Sequence, residues 1–416
     1  MKTDKDIRTN KSIFLVAFYV LMVSRILVLT NNYTWFINPI LLEVLYLILV
    51  VALLIVKNGF VFRLHHGAYL YVLAVILVHT VLWGVFFRNK QFGDLIHDHF
   101  ESQILFVIII SITVWAIHQL RIEKSFLKCA CYALSTVLLV QFVKNIHEVD
   151  LSNLVNIFSA HDRTRSNFGF GHYNALGTAC VCNLILLGTI RQRKKVFINV
   201  MHFALVIISV IMLLCSASRS ALTSLILYLA ILAFLRMDRL PILNKQIFLL
   251  RMMVTVVTMV AIAYILATMD VVDFLEEAQR FHLFTDTLPM FLESGRTLMG
   301  LGYASTVSYA QKLTPYTTLW LDNAYIYYLI TTGFAGLVVI LSAVVCMGFV
   351  VWRNRKLADG DRILAVFCVY LYISMFEAVL FNSGTVVNYV YLPWLLTNLV
   401  RKDKEYEKCK KVKLVY

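Results

Sequence analysis

Charge is scarce in this chain. Asp, Glu, Lys and Arg make up 15% of its 416 residues, and 60% are hydrophobic, giving a mean hydropathy of +0.77. Signatures of nucleotide or metal chemistry are missing too. There is no Walker sequence, no His-Glu-x-x-His, no Cys/His cluster and no Gly-x-Ser-x-Gly elbow, so ATP-driven or metal-dependent chemistry is not expected and no cofactor is predicted. The eight Cys show no metal or disulfide spacing: Cys180, Cys182, Cys215, Cys346 and Cys368 sit inside apolar runs, where a thiol behaves as a small hydrophobe. No small-residue cleavage site follows the basic N-terminus before Arg25, so the first apolar run is expected to be kept as a span.

What the chain does have is a series of apolar stretches near the length that crosses a bilayer. They lie near 13–30, 36–56, 67–87, 103–119, 126–143, 170–190, 196–215, 219–236, 248–268, 323–351, 362–381 and 384–400. The expected fold is therefore an all-α polytopic membrane protein of about 12 transmembrane helices, forming a single integral membrane domain over 1–416. A formal charge of +14 raises nucleic acid as a partner, but the cations do not cluster on one solvated face. Instead, 28 of the 38 Lys and Arg fall in the loops on the amino-terminal side. The positive-inside rule then puts both termini in the cytoplasm and makes the charge an orientation signal. Within the spans, Glu43 and Glu377 are ionisable groups with no partner evident in sequence.

On the expected outer side only residues 144–168 and 269–322 form long loops, and long external loops are where recognition or chemistry gathers. Within the larger one, Val271, Phe274, Leu275, Ala278, Phe281 and Leu288 recur at helical spacing opposite Asp273, Glu276, Glu277 and Arg280, predicting an amphipathic surface helix. Residues 401–416 are a charge run expected to be a basic cytoplasmic tail near lipid.

The arginines of that outer face include Arg163, Arg165, Arg219, Arg280 and Arg296. A guanidinium cannot lose its charge, and on a face normally poor in cations its usual purpose is to hold phosphate or pyrophosphate. Each has a plainer explanation as well. Glu276 and Glu277 can pair with Arg280 along a helix, Arg219 can snorkel, and Arg163 and Arg165 can be solvated in a loop. Phe168–Asn174 adds His172 and Asn174, where a His at a helix start can serve only as an end-cap. Asp322, ahead of Asn323 and Tyr325, is either the N-cap of the next helix or a carboxylate available for chemistry. The pair Gly300-x-Gly302 is a turn signal and by itself weak evidence for phosphate.

Three segments together resemble the O-antigen polymerase and ligase superfamily. LLCSASRSALTSLILYLAILAFL is similar to its Ser-Arg-(small)-Ala span opening, and GHYNALGTACVCNLILL to its His-x-Asn segment. The stretch from Arg280 through MGLGYAS to LDNAYIYYLITTGFAGLVVIL is similar to its external arginine, Gly-x-Gly turn and following helix. The resemblance implies a GT-C-like membrane glycosyltransferase acting on polyprenyl-diphosphate-linked saccharides without metal. Arg219 and Arg280 would grip the diphosphate, Arg163, Arg165, His172, Asn174, Arg296, Asn323 and Tyr325 would bind substrate, and a flippase or chain-length regulator would be a partner. The ligase branch usually has His where this chain has Asp322, which favours a polymerase of capsule, exopolysaccharide or O-antigen and leaves that carboxylate as general base. A ligase and a non-enzymatic lipid-linked glycan transporter are the alternatives; no internal repeat of the transporter kind is visible.

Overall fold

The computed structural model describes residues 4–30, 38–58, 67–86, 93–150, 165–190, 196–237, 288–302, 323–357 and 359–400, with scattered positions between 246 and 257. Arg163, Arg280, Asp322, the 269–287 amphipathic segment and the 401–416 tail lie outside them. The span expected at 248–268 does too, for the most part.

Among the described residues the structure is helical, with no strand beyond a single bridge pairing Thr30 with Phe170. In chain order the helices are α1 (Asp4–Val28), α2 (Pro39–Asn58), α3 (Gly67–Val81, running on as a π-helical turn to Phe86), α4 (Gly93–Leu120), α5 (Glu123–Lys144) and α6 (Tyr173–Thr189). They continue as α7 (Val196–Cys215), α8 (Arg219–Arg236), the short α9 (Leu288–Glu293), α10 (Ala324–Arg353), α11 (Gly360–Ile373) and α12 (Val386–Val400). Seven of these are long and apolar enough to cross a membrane, and large apolar side chains such as Val16, Val78, Phe203, Val338 and Phe349 stand exposed on them. Outward-facing apolar surface on helices of that length marks a helical membrane protein.

Two of the expected spans are shorter than their hydropathy suggests. The windows at 362–381 and 384–400 become helices of 14 and 15 residues, separated by turns over 374–385. At 1.5 Å per residue these helices rise only about 21–23 Å, against a hydrocarbon core of about 30 Å. The apolar run Phe376–Phe381 leaves helical geometry because side chains from elsewhere satisfy its backbone. Gln103 donates to the Phe381 carbonyl at 2.5 Å and accepts from Ser383 N at 3.0 Å, while the Tyr328 hydroxyl donates to Leu380 O at 2.9 Å. Phe381 N donates to the Tyr370 hydroxyl at 2.8 Å. Irregular backbone of this kind survives at membrane depth only when buried in protein. Glu377 therefore belongs to a turn and not to a helical span.

Helix α12 is the central post, touching α1, α3, α4, α5, α6, α10 and α11. Burial on all sides removes any need for a lipid-facing apolar stripe, which is why it tolerates Asn388 at 0% exposure. It also answers the question posed by Glu43. That carboxylate, 1% exposed, forms an ion pair with Arg25 of α1 and accepts a hydrogen bond from the Tyr389 hydroxyl of α12 at 2.7 Å. The Arg25 guanidinium lies 5.2 Å over the Tyr389 ring. Three helices are thus pinned by one polar contact inside an apolar bundle.

Helix α10 breaks at Gly333 (φ 67°, ψ −173°), a conformation open essentially to glycine alone. The break frees backbone groups that the segment 297–302 takes up: Phe334 N donates to Thr297 O at 2.9 Å, Ala335 N to Leu298 O at 3.0 Å, and Leu301 N to Ile330 O at 2.9 Å. Gly300 serves this close approach, since a Cβ there would stand 2.5 Å from the Thr331 carbonyl oxygen. The Gly-x-Gly turn is accordingly used for backbone docking. Gly333→Ala is expected to cost at least about 3 kcal/mol, because the strained φ/ψ and the collision with Leu298 act together. An unchanged melting temperature of the detergent-solubilised variant would refute this account of the kink.

Candidate functional site

Helix α7 stops at Cys215 and α8 starts at Arg219, so the chain reverses within Ser216, Ala217 and Ser218, all at most 3% exposed. Three residues suffice because each is small. Ser216 Oγ donates to Leu213 O at 2.7 Å, and Ala217 takes up a positive φ of 45°, a strained choice for a residue with a Cβ. On the neighbouring helix Gly177 allows the close packing that fixes the turn. A Cβ at Gly177 would fall 2.7 Å from Ser218 Cβ and 2.9 Å from Ala221 Cβ. The result is an arginine held half-exposed at the first position of a helix, on a turn that cannot easily shift.

The segment before α6 is tied to the same turn. Ser166 N donates to Cys215 O at 2.9 Å, which brings Arg165 to the α7–α8 reversal. Glu148 fixes the segment from the other side: its Oε2 accepts from Phe168 N at 2.7 Å and its carbonyl from Ser166 Oγ at 2.7 Å. Phe168 itself has a positive φ of 45°, and Gly171 N donates to Leu29 O at 2.7 Å, anchoring the strip on α1. Arg165 lies 4.2 Å over the Tyr173 ring, a cation–π contact that orients the guanidinium.

His172 caps α6 by accepting the Asn174 N–H at its Nδ1, 3.2 Å away. The plainer role considered for this residue is therefore a real one. Burial, with the nearby Arg165 charge second, holds the imidazole below its usual titration range, so it is neutral at pH 7. With Nδ1 accepting, the neutral ring carries its proton on Nε2 and can donate there. Because the folded-state value is the lower one, the cap's contribution is complete above the ordinary imidazole pKa of about 6.5 and is lost as pH falls toward the folded value. Moving from pH 7.5 to 5 should lower the melting temperature of the wild type more than that of His172→Asn, which caps without titrating. Parallel pH profiles would contradict the cap.

The remaining nominated residues separate. Asn323, not Asp322, is the N-cap of α10: its Oδ1 accepts from Tyr325 N and Ile326 N, both at 3.0 Å. Its Nδ2 donates to Met375 O at 2.8 Å, and Tyr325 OH donates to Leu371 O at 3.2 Å. Both side chains fasten α10 to the end of α11. They connect to the Arg219 turn through α11, where Tyr372 OH donates to Thr223 Oγ1 at 2.8 Å and Thr223 in turn donates to Arg219 O at 2.7 Å. Arg296 is exposed in the turn after α9, beside the segment docked on the α10 break. Asn174 contributes its main chain to the start of α6.

Arg165, His172, Tyr173 and Arg219 are thus brought to one end of the bundle. Glu148 and Tyr372, which position them, were not nominated by sequence, since their partners lie far along the chain and no local pattern marks them. Compared with models of known protein families the chain matches none, and compared with curated proteins it matches none.

Proposed function

We propose that this protein is a saccharide polymerase of the cytoplasmic membrane, a multi-pass GT-C-like enzyme of about twelve spans with both termini in the cytoplasm. Growing glycan on polyprenyl diphosphate is the donor and a lipid-linked repeat unit the acceptor. The observation that carries this reading is the grouping of Arg219, Arg165 and the Nε2 donor of His172 at one end of the bundle, on a rigid backbone. The basic turns at Arg121–Lys124 and Arg353–Arg362 occupy the other end. An anion site opposite the cation-rich face is what chemistry on an external lipid diphosphate requires.

The acceptor hydroxyl oxygen attacks the anomeric carbon, and the bond from that carbon to the diphosphate oxygen breaks. The hydroxyl proton passes to a general base, for which Asp322 is the candidate, and polyprenyl diphosphate departs with the electron pair. Charge grows on the leaving diphosphate as the bond lengthens, so guanidinium groups fixed in advance stabilise the transition state more than the ground state. Arg219 and Arg280 take that role and Arg165 assists.

The break in α10 at Gly333 and the buried Arg25–Glu43 pair also suit a carrier of lipid-linked glycan. Purified protein in liposomes with polyprenyl-diphosphate-linked repeat units separates the readings. Longer lipid-linked chains are expected; glycan crossing the bilayer without new bonds identifies a carrier, and transfer of finished glycan without growth identifies a ligase.

A further inference from the structure

At the end of the bundle away from Arg219, a shallow open cleft lies between the starts of α5 and α11 and the ends of α4, α6 and α12. One wall is apolar, built from Phe126, Leu127, Ile363 and Trp394. Lining the cleft as well, beside Trp394 on α12, are two side chains whose polarity the protein leaves unmet: Thr397 Oγ1 and Asn398 Nδ2 have no hydrogen-bond partner among the described residues, although the residues are only 5% and 4% exposed. Buried donors are nearly always satisfied, so two on one cleft call for an acceptor brought from outside. The Asn398 carbonyl accepts from Asn354 Nδ2 at 3.3 Å, which fixes the end of α12 beside the cleft.

The lip of the cleft is basic. Lys124 lines it, and Arg121 and Lys128 flank Lys124 on the same turn and helix, with the carboxylate of Glu123 beside them. Asp359, also on the cleft, is taken by Arg362 Nη1 at 3.0 Å. A ligand that suits these features has phosphate oxygens for Asn398, Thr397 and Lys124 and a hydrocarbon portion for the apolar wall.

We infer that the cleft binds a phospholipid from the membrane leaflet that meets this end of the bundle. Its phosphate lies between Asn398 Nδ2 and the Lys124 ammonium, and its acyl chain runs along Phe126, Leu127, Ile363 and Trp394. This site is separate from the Arg219 end and does not depend on the polymerase reading.

Native mass spectrometry of delipidated full-length protein tests it with three probes: phosphatidylglycerol, diacylglycerol with the same acyl chains, and inorganic phosphate. One phosphatidylglycerol is expected to be retained per chain, while diacylglycerol is not retained and millimolar phosphate does not displace the lipid. Asn398→Leu and Lys124→Ala should each weaken retention about tenfold, the effect of losing one charge-assisted hydrogen bond. Equal retention of diacylglycerol, or displacement by phosphate, overturns the phospholipid assignment. So does wild-type retention by the variants; if Asn398→Leu does not fold, the solvent-facing Lys124→Ala decides the matter alone.

Discussion

Arg219→Ala is expected to insert and accumulate like the wild type while losing about 10²–10³-fold in the rate of chain extension, the range seen when one preorganised charge-stabilising donor is removed from a transition state. Activity and folding should separate at this position for an electrostatic reason. Arg219 is the first residue of α8, where the helix dipole disfavours a cation by about 0.3–1 kcal/mol. Replacing it with alanine therefore removes an unfavourable charge, and the small residues Ser216, Ala217 and Ser218 keep the turn intact. Arg219→Lys keeps the charge but loses the two-pronged geometry, so it should fall between alanine and the wild type. On the proposed reading Arg280→Ala behaves alike. Product-length distributions on gels from reconstituted enzyme measure both, and wild-type distributions in the two alanine variants would remove the diphosphate assignment.

The second large effect is on stability. Glu43→Ala leaves the Arg25 guanidinium facing apolar side chains and the Tyr389 hydroxyl without its acceptor, and should cost about 3–5 kcal/mol, the usual penalty for orphaning one half of a buried pair. Replacing both charges with leucine should recover most of that loss, because two apolar groups need no compensation in the bundle interior. The measurement is thermal melting in detergent of the single variant, the double variant and the wild type. Equal melting of Glu43→Ala and wild type would mean that the pair contributes nothing; a double variant as unstable as the single would mean that packing, not charge, holds α1 to α2 and α12.

How much of this was legible beforehand depended on the range over which each feature is determined. The helix from Arg219 was visible at its first residue, since a charged position after the small residues Ser216–Ser218 and before an unbroken apolar run is a local signal. The helix start at Tyr173 and its cap at His172 were equally local. Phe376–Phe381 gave the opposite result. Its apolar composition satisfies any hydropathy window, yet its conformation is set by Gln103, Tyr328 and Tyr370, far away in sequence. The sequence points to Asp322 as the cap of α10, whereas Asn323 holds that position, because both side chains can accept from the next turn and only the fold selects between them. The partner of Glu43 escaped for the same reason: Arg25 is on another helix, and Tyr389 is 346 residues away.

The place of α12 in the chain bears on how the protein is made. Among the described helices it is the last to leave the ribosome, yet it is the one on which seven others rest. Until it arrives Glu43 lacks its tyrosine, and Gln103 gains its carbonyl and amide only from the segment made just before it. The contacts that join these seven helices through one common element can therefore form only at the end of synthesis. A chain halted before this helix lacks the element on which seven others rest, so its earlier helices are left without their shared packing partner.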